Sequence, residues 1–129
     1  MIDSTELRIG NIISYKGQLK KVYGICFNAV RVNSDGTHKV NTEVELDACE
    51  YVALSNDILK KCGFVKTPTN FVDGIEFSRE GFPFDLQYIE GKFYIDVYEW
   101  TVGPEISAYL HSLQNLYFVM TGKELEVNL

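Results

Sequence analysis

The side chains able to do chemistry in this 129-residue chain are two histidines, three cysteines and eighteen carboxylates. Nucleophilic catalysis needs a Ser, Cys or Thr beside a base that a third group orients. His38 sits beside Gly36 in an expected hairpin and His111 sits mid-helix, so the one triad that can be drawn joins Cys62, His111 and an acid such as Asp57. No spacing supports it, and each histidine is more simply a surface or partly buried polar residue. Paired carboxylates serve glycosyl transfer when held about 5–10 Å apart. Glu76, Asp85, Asp96 and Glu99 fall on neighbouring expected strands with aromatics nearby. Eighteen acids in so short a chain bring some pair within that range by chance, and solvated strand faces account for these four better. The ten glycines are scattered singly, without a phosphate-cradling motif. Cys26, Cys49 and Cys62 lie 23 and 13 residues apart with no C-x-x-C and no histidine close by, so no metal site announces itself. The expectation is a chain with no catalytic, cofactor-binding or metal-ligating residues, hence not an enzyme and without a cofactor.

The aromatic residues carry the stronger signal. In Phe93–Trp100, alternation places Phe93, Ile95, Val97 and Glu99 on one strand face and Tyr94, Asp96, Tyr98 and Trp100 on the other. Aromatics interleaved with basic residues would suit stacking on single-stranded nucleic acid. Here the interleaved charges are the acids Asp85, Glu90, Asp96 and Glu99, which suits protein binding through Tyr and Trp anchors instead. Filling of a small core is the plainer use of the same residues. Candidate partner-binding residues are Tyr94, Tyr98 and Trp100, with His111 and Phe118 on the second side of the long helix.

The elements that must position these residues follow from periodicity and turn chemistry. Ile12–Tyr15 and Leu19–Ile25 form a hairpin across Lys16-Gly17. Ala29–Asn33 leads through Ser34-Asp35-Gly36 to Thr37–Val40, with short strands at Val44–Leu46 and Tyr51–Ala53. Such strands predict an SH3-like small β-barrel or bent sheet. Ser55 then caps a short helix with Leu54 and Leu59 as its staple, Lys60 and Lys61 in its last turn, and Gly63-Phe64 as a Schellman stop. An antiparallel β-meander follows, with strands at Phe64–Thr67, Ile75–Phe77, Phe84–Tyr88 and Phe93–Trp100. Gly103-Pro104 opens a long C-terminal packing helix whose stripe is Ile106, Leu110, Leu113, Tyr117 and Met120. Thr121-Gly122 ends it, and Leu125–Leu129 forms a terminal strand. The fold class is α+β, divided into an SH3-like β-subdomain over 1–54 and a meander-plus-helix subdomain over 55–129, packed as one unit.

Composition sets the outer limits. A hydrophobic fraction of 46% supplies a core, which excludes disorder as the main state. No run of eighteen apolar residues and no basic-then-apolar N-terminus occurs, so neither a membrane span nor a secretory leader is expected. The net charge is −6, and it is uneven: residues 1–54 hold six basic and seven acidic side chains, residues 55–129 six and eleven. No basic footprint of a duplex-binding protein is present. The nucleic-acid alternative rests on Lys16, Lys20, Lys21 and Arg31 of the first half, and a small hydrolase using Glu76, Asp85 or Asp96 is the third reading. Cysteines beside apolar residues, as at Cys26 and Cys62, point to buried free thiols and a reducing, cytoplasmic setting.

Three segments carry a resemblance. Glu6-Leu7-Arg8-Ile9-Gly10-Asn11, Leu59-Lys60-Lys61-Cys62-Gly63-Phe64, and Leu113-Gln114-Asn115-Leu116-Tyr117-Phe118 with Thr121-Gly122-Lys123-Glu124-Leu125 resemble small uncharacterised phage- and prophage-encoded proteins of Bacteroides-type gut bacteria. That group has no known chemistry, so the resemblance implies an intracellular, phage-related setting and no residue roles. The leading expectation is a non-enzymatic protein-interaction module that binds a protein partner or forms a homodimer, with no membrane association.

Overall fold

The computed structural model of the chain describes residues 2–33, 41–68, 74–96 and 105–128. It divides into two units: Met1–Ala53 with Tyr109–Asn115, and Leu54–Ala108 with Leu116–Leu129. Both sheets are antiparallel, and with two helices they make an α+β protein composed mostly of strands.

In the first unit, β1 (Ile12–Tyr15), β2 (Gln18–Ile25), β3 (Ala29–Asn33), β4 (Asn41–Glu45) and β5 (Cys49–Glu50) form one sheet in the order β4-β3-β2-β1-β5. The β1–β2 turn places Lys16 at φ 50° and Gly17 at φ 76°. Both angles are left-handed, the turn geometry whose twist matches the flanking strands. Alternation buries Val22, Val30, Val32 and Val44 with Ile13, and Leu46 and Cys49 join that core. The outer strands β4 and β5 are not paired with each other among the described residues, so of the expected small barrel or bent sheet these residues form an open sheet and no closed barrel. The expected strand Val44–Leu46 ends at Glu45, because Leu46–Ala48 turns as 3₁₀ helix before β5. Tyr51–Ala53 is not a strand; only Ala53 keeps a bridge, to Tyr109. Thr37–Val40 lies outside the described residues.

The second unit opens with α1 (Asn56–Lys61). Ser55 Oγ accepts from the Ile58 amide at 3.2 Å. At the other end Phe64 N–H donates to Leu59 O and Gly63 N–H to Lys60 O, both at 3.0 Å. These are the two bonds of a Schellman stop, with Gly63 at φ 86° as the left-handed residue. A sheet follows in the order β10-β9-β8-β7-β6, from β6 (Val65–Pro68), β7 (Gly74–Ser78), β8 (Asp85–Ile89), β9 (Lys92–Asp96) and β10 (Glu105–Ile106). The alternation expected in the last long strand holds where it is described: Phe93 and Ile95 are buried and Tyr94 is half-buried.

The long helix differs from expectation. It is α2 (Leu110–Thr121), and Ile106 belongs to β10, paired with Phe93. Pairing to the sheet satisfies Glu105 and Ile106, and the helix starts only after the bridge at Tyr109. Residues 110–115 of α2 belong to the first unit and 116–121 to the second. Leu125–Asn128 is not a strand; Leu125 is buried and Asn128 N–H donates to Lys61 O at 2.9 Å. No helix among the described residues is long and apolar enough to cross a membrane.

Candidate functional site

Polar side chains converge where the N-terminal segment meets the first turns of α2, within the first unit. Gln114 is buried; its Oε1 accepts from Ile12 N–H at 2.8 Å and its Nε2 donates to Gly10 O at 3.0 Å. Asn115 Oδ1 accepts from Asn11 Nδ2 at 2.9 Å and from Arg8 Nε at 3.1 Å, while its Nδ2 donates to Glu6 O. Asn11 Oδ1 in turn accepts from Arg8 N–H. Beside this knot, Tyr51 donates its hydroxyl proton to Glu6 Oε2 at 2.5 Å and accepts from Asp3 N–H at 2.9 Å. The His111 ring stacks on Tyr51 with centroids 4.2 Å apart, and its Nε2 lies 3.9 Å from Glu6 Oε2.

The electrostatics of this cluster follow from its burial. Burial pushes the His111 imidazole below its ordinary value, with Glu6 pulling the other way, and the ring is 3% exposed. Burial and the bond to Glu6 raise the Tyr51 phenol, so it holds its proton at neutral pH. His111 Nδ1 has no hydrogen-bond partner. The arrangement fastens the N-terminal segment onto the first turns of α2.

His111, expected as a surface or partly buried residue on the second side of the long helix, is buried. Its neighbours Glu6 and Tyr51 are brought by chain segments that helical periodicity cannot register. Its adjacent acid is Glu6, not Asp57. Cys62 is buried and its thiol is pushed up to about 11 by desolvation, Arg79 opposing, which makes it a poor nucleophile. Cys26 is exposed rather than buried, because it lies at the tip between β2 and β3 beside Phe27, itself 94% exposed. Among the described residues no group of three or more His, Cys, Asp or Glu could hold a metal ion.

Of the other candidate residues, Tyr94 stands opposite Gln87 and Glu105 in a row across the second sheet, and Phe118 is partly exposed on α2 beside the more exposed Val119. Tyr98 and Trp100 lie outside the described residues. Glu76 pairs with Gln87, and Asp85 is in register with Asp96 on β9. The basic set is split by strand alternation. Lys20 shares the core side of β2 with Val22, whereas Lys21 and Arg31 point to the opposite side, where Arg31 meets Glu43 at 4.0 Å.

Each unit carries a groove lined by described residues. One, of about 270 Å³, crosses the first sheet and is lined by Tyr15, Lys16, Gln18, Lys20, Val32, Asn33, Thr42 and Val44. The other, of about 530 Å³, runs between α1 and β6 and is lined by Asn56, Asp57, Lys60, Gly63, Phe64, Val65, Lys66 and Phe77. Neither contains Glu76 or Asp85. Among the described residues β6 is an edge strand of its sheet, and Val65 on it is 62% exposed. Sequence reasoning missed both grooves. Edge status leaves only a faint mark in sequence, here Lys66 and the Pro68 that ends β6.

Comparison with protein families, with curated proteins and with solved structures gives no match to this chain.

Proposed function

We propose that the chain is a non-enzymatic protein-interaction module whose α1–β6 groove receives an extended segment of a protein partner. The observation that carries this reading is the edge position of β6, whose outward side pairs with no strand among the described residues, beside a groove lined by Phe64, Val65 and Phe77. An edge strand offers main-chain hydrogen bonds, and adjoining apolar pockets select side chains. Pro68 has no N–H and closes the far end, so the pairing stretch is 65–67. Within this reading the open first sheet is a relative of SH3-like small barrels: β1–β4 run as a meander of short strands, and after a 3₁₀ turn β5 returns to pair with β1. The setting is cytoplasmic and phage-related, as the segments at both ends suggest.

The test is co-purification with tagged chain from its native host, identification by mass spectrometry, and repetition with Val65→Glu. The variant is expected to melt like wild type and to lose the partner. Light scattering of both proteins detects a second copy as that partner. Undiminished capture, or an unchanged assembly state, by a folded Val65→Glu variant removes the reading.

A further inference from the structure

The second groove lies on the first unit and has the opposite character. Lys16 and Lys20 line it, and among the described residues no carboxylate does, in a chain whose net charge is −6. Lys16 is fixed in the left-handed β1–β2 turn, its ammonium 5.3 Å from the Tyr15 ring centroid. Lys20 is the more telling residue. It occupies the inner, core side of β2, cross-strand from the fully buried Ile13, and is half-buried there. Among the described residues it has no acidic partner. Its aliphatic stem lies along the apolar side of the strand, which leaves the ammonium at the groove as a cation open to a counter-charge. The floor beside it is apolar, made by the buried Val32 and Val44, and the Thr42 hydroxyl and Gln18 carboxamide add polar contacts.

We propose that this groove binds a peptide segment of a partner by holding a carboxylate side chain between Lys16 and Lys20, with a neighbouring aliphatic side chain on Val32 and Val44. The volume, about 270 Å³, is below the ~300–1,000 Å³ that encloses a whole drug-sized ligand, and it suits one or two side chains. The far wall is β4, an edge strand of the sheet, so an extended chain can run past the groove. A nucleic-acid backbone fits less well. Its affinity needs a track of several cations, and here Lys21 and Arg31 face away while Arg31 meets Glu43. This groove and the α1–β6 groove belong to different units, so the two proposals succeed or fail separately.

The test selects a random-sequence peptide library on the intact chain and measures the enriched peptides by isothermal titration and by amide shifts in 15N-labelled protein. Expected are peptides carrying Asp or Glu next to an aliphatic residue, shifting Lys20, Val32 and Thr42. Binding should weaken about tenfold or more when the peptide acid becomes its amide, or in Lys20→Met. If Lys20→Met fails to fold, Lys16→Met on the exposed turn carries the same expectation. Enrichment of peptides without an acid, no enrichment, or unchanged binding by a folded lysine variant overturns the proposal. So does equally tight binding of oligo-dT or of inorganic phosphate at the same resonances.

Discussion

Asn11 and Asn115 are 104 residues apart in the chain, and the carboxamide of the first donates to Oδ1 of the second at 2.9 Å. With Gln114 bridging Gly10 and Ile12, this makes the opening segment and the start of α2 a single hydrogen-bonded piece. It also gives a physical meaning to two of the segments singled out in the sequence, Glu6–Asn11 and Leu113–Phe118: the first depends on the side chains of the second.

Replacing Gln114 by Ala leaves the Ile12 amide and the Gly10 carbonyl without their partner and opens space in a fully packed position. A loss of about 2–4 kcal/mol is expected from chemical denaturation. Asn115→Ala, at a half-buried site, is expected to cost about 1 kcal/mol. Equal, negligible effects from both would show that the knot does not hold the segment.

Stability should fall on mild acidification. The folded protein keeps His111 neutral because burial lowers its affinity for protons, whereas in the unfolded chain the ring titrates near 6.5. The unfolded state therefore takes up protons first, and the stabilising contribution present above that pH is lost as pH falls through 6.5 toward the folded value. Urea midpoints measured from neutral to about pH 5 should drop for wild type. His111→Phe, which keeps an aromatic ring against Tyr51, should flatten the profile. A dependence unchanged in that variant would assign it to other groups.

The three thiols should separate cleanly. Cys26 is exposed, while burial raises the thiols of Cys49 and Cys62, the latter to about 11. Iodoacetamide at neutral pH should label Cys26 in the folded protein and the other two only in denaturant. Mass mapping reads this directly. Labelling of Cys62 under native conditions would contradict its burial.

The stop of α1 is equally open to measurement. Gly63→Ala forces a side chain into a left-handed angle and brings a Cβ to 3.2 Å from Arg79 Nε, a nitrogen that already donates to Cys62 O at 2.8 Å. The expected loss is about 1 kcal/mol or more. Ser55→Ala removes the N-cap bond for about 1 kcal/mol. Thermal melts of both variants check these values.

What was legible in the sequence is what local chemistry decides. Ser55, Gly63 and Phe64 state both ends of α1 within ten residues, and Lys16-Gly17 and Glu90-Gly91 mark tight turns through residues at positive φ. Ile106 misled because its spacing to Leu110 imitates a helical stripe, while β9 offers Ile106 a partner strand that periodicity does not see. The depth at which His111 is buried was not legible for a related reason: its ring is covered by Tyr51 and faces Glu6, residues remote in the chain. The grooves were illegible because each depends on which strand ends at a sheet edge, a property of topology rather than composition.

The ownership of 109–115 by the first unit has a consequence for how the protein comes into being. On the ribosome, the N-terminal sheet emerges well before the helix segment that satisfies Gly10 and Ile12 has been translated, and residues 54–108 must be made in between. The first part synthesised is thus completed late, by a long-range closure of the slow kind, and nascent chains stalled short of Asn115 would carry it unsealed.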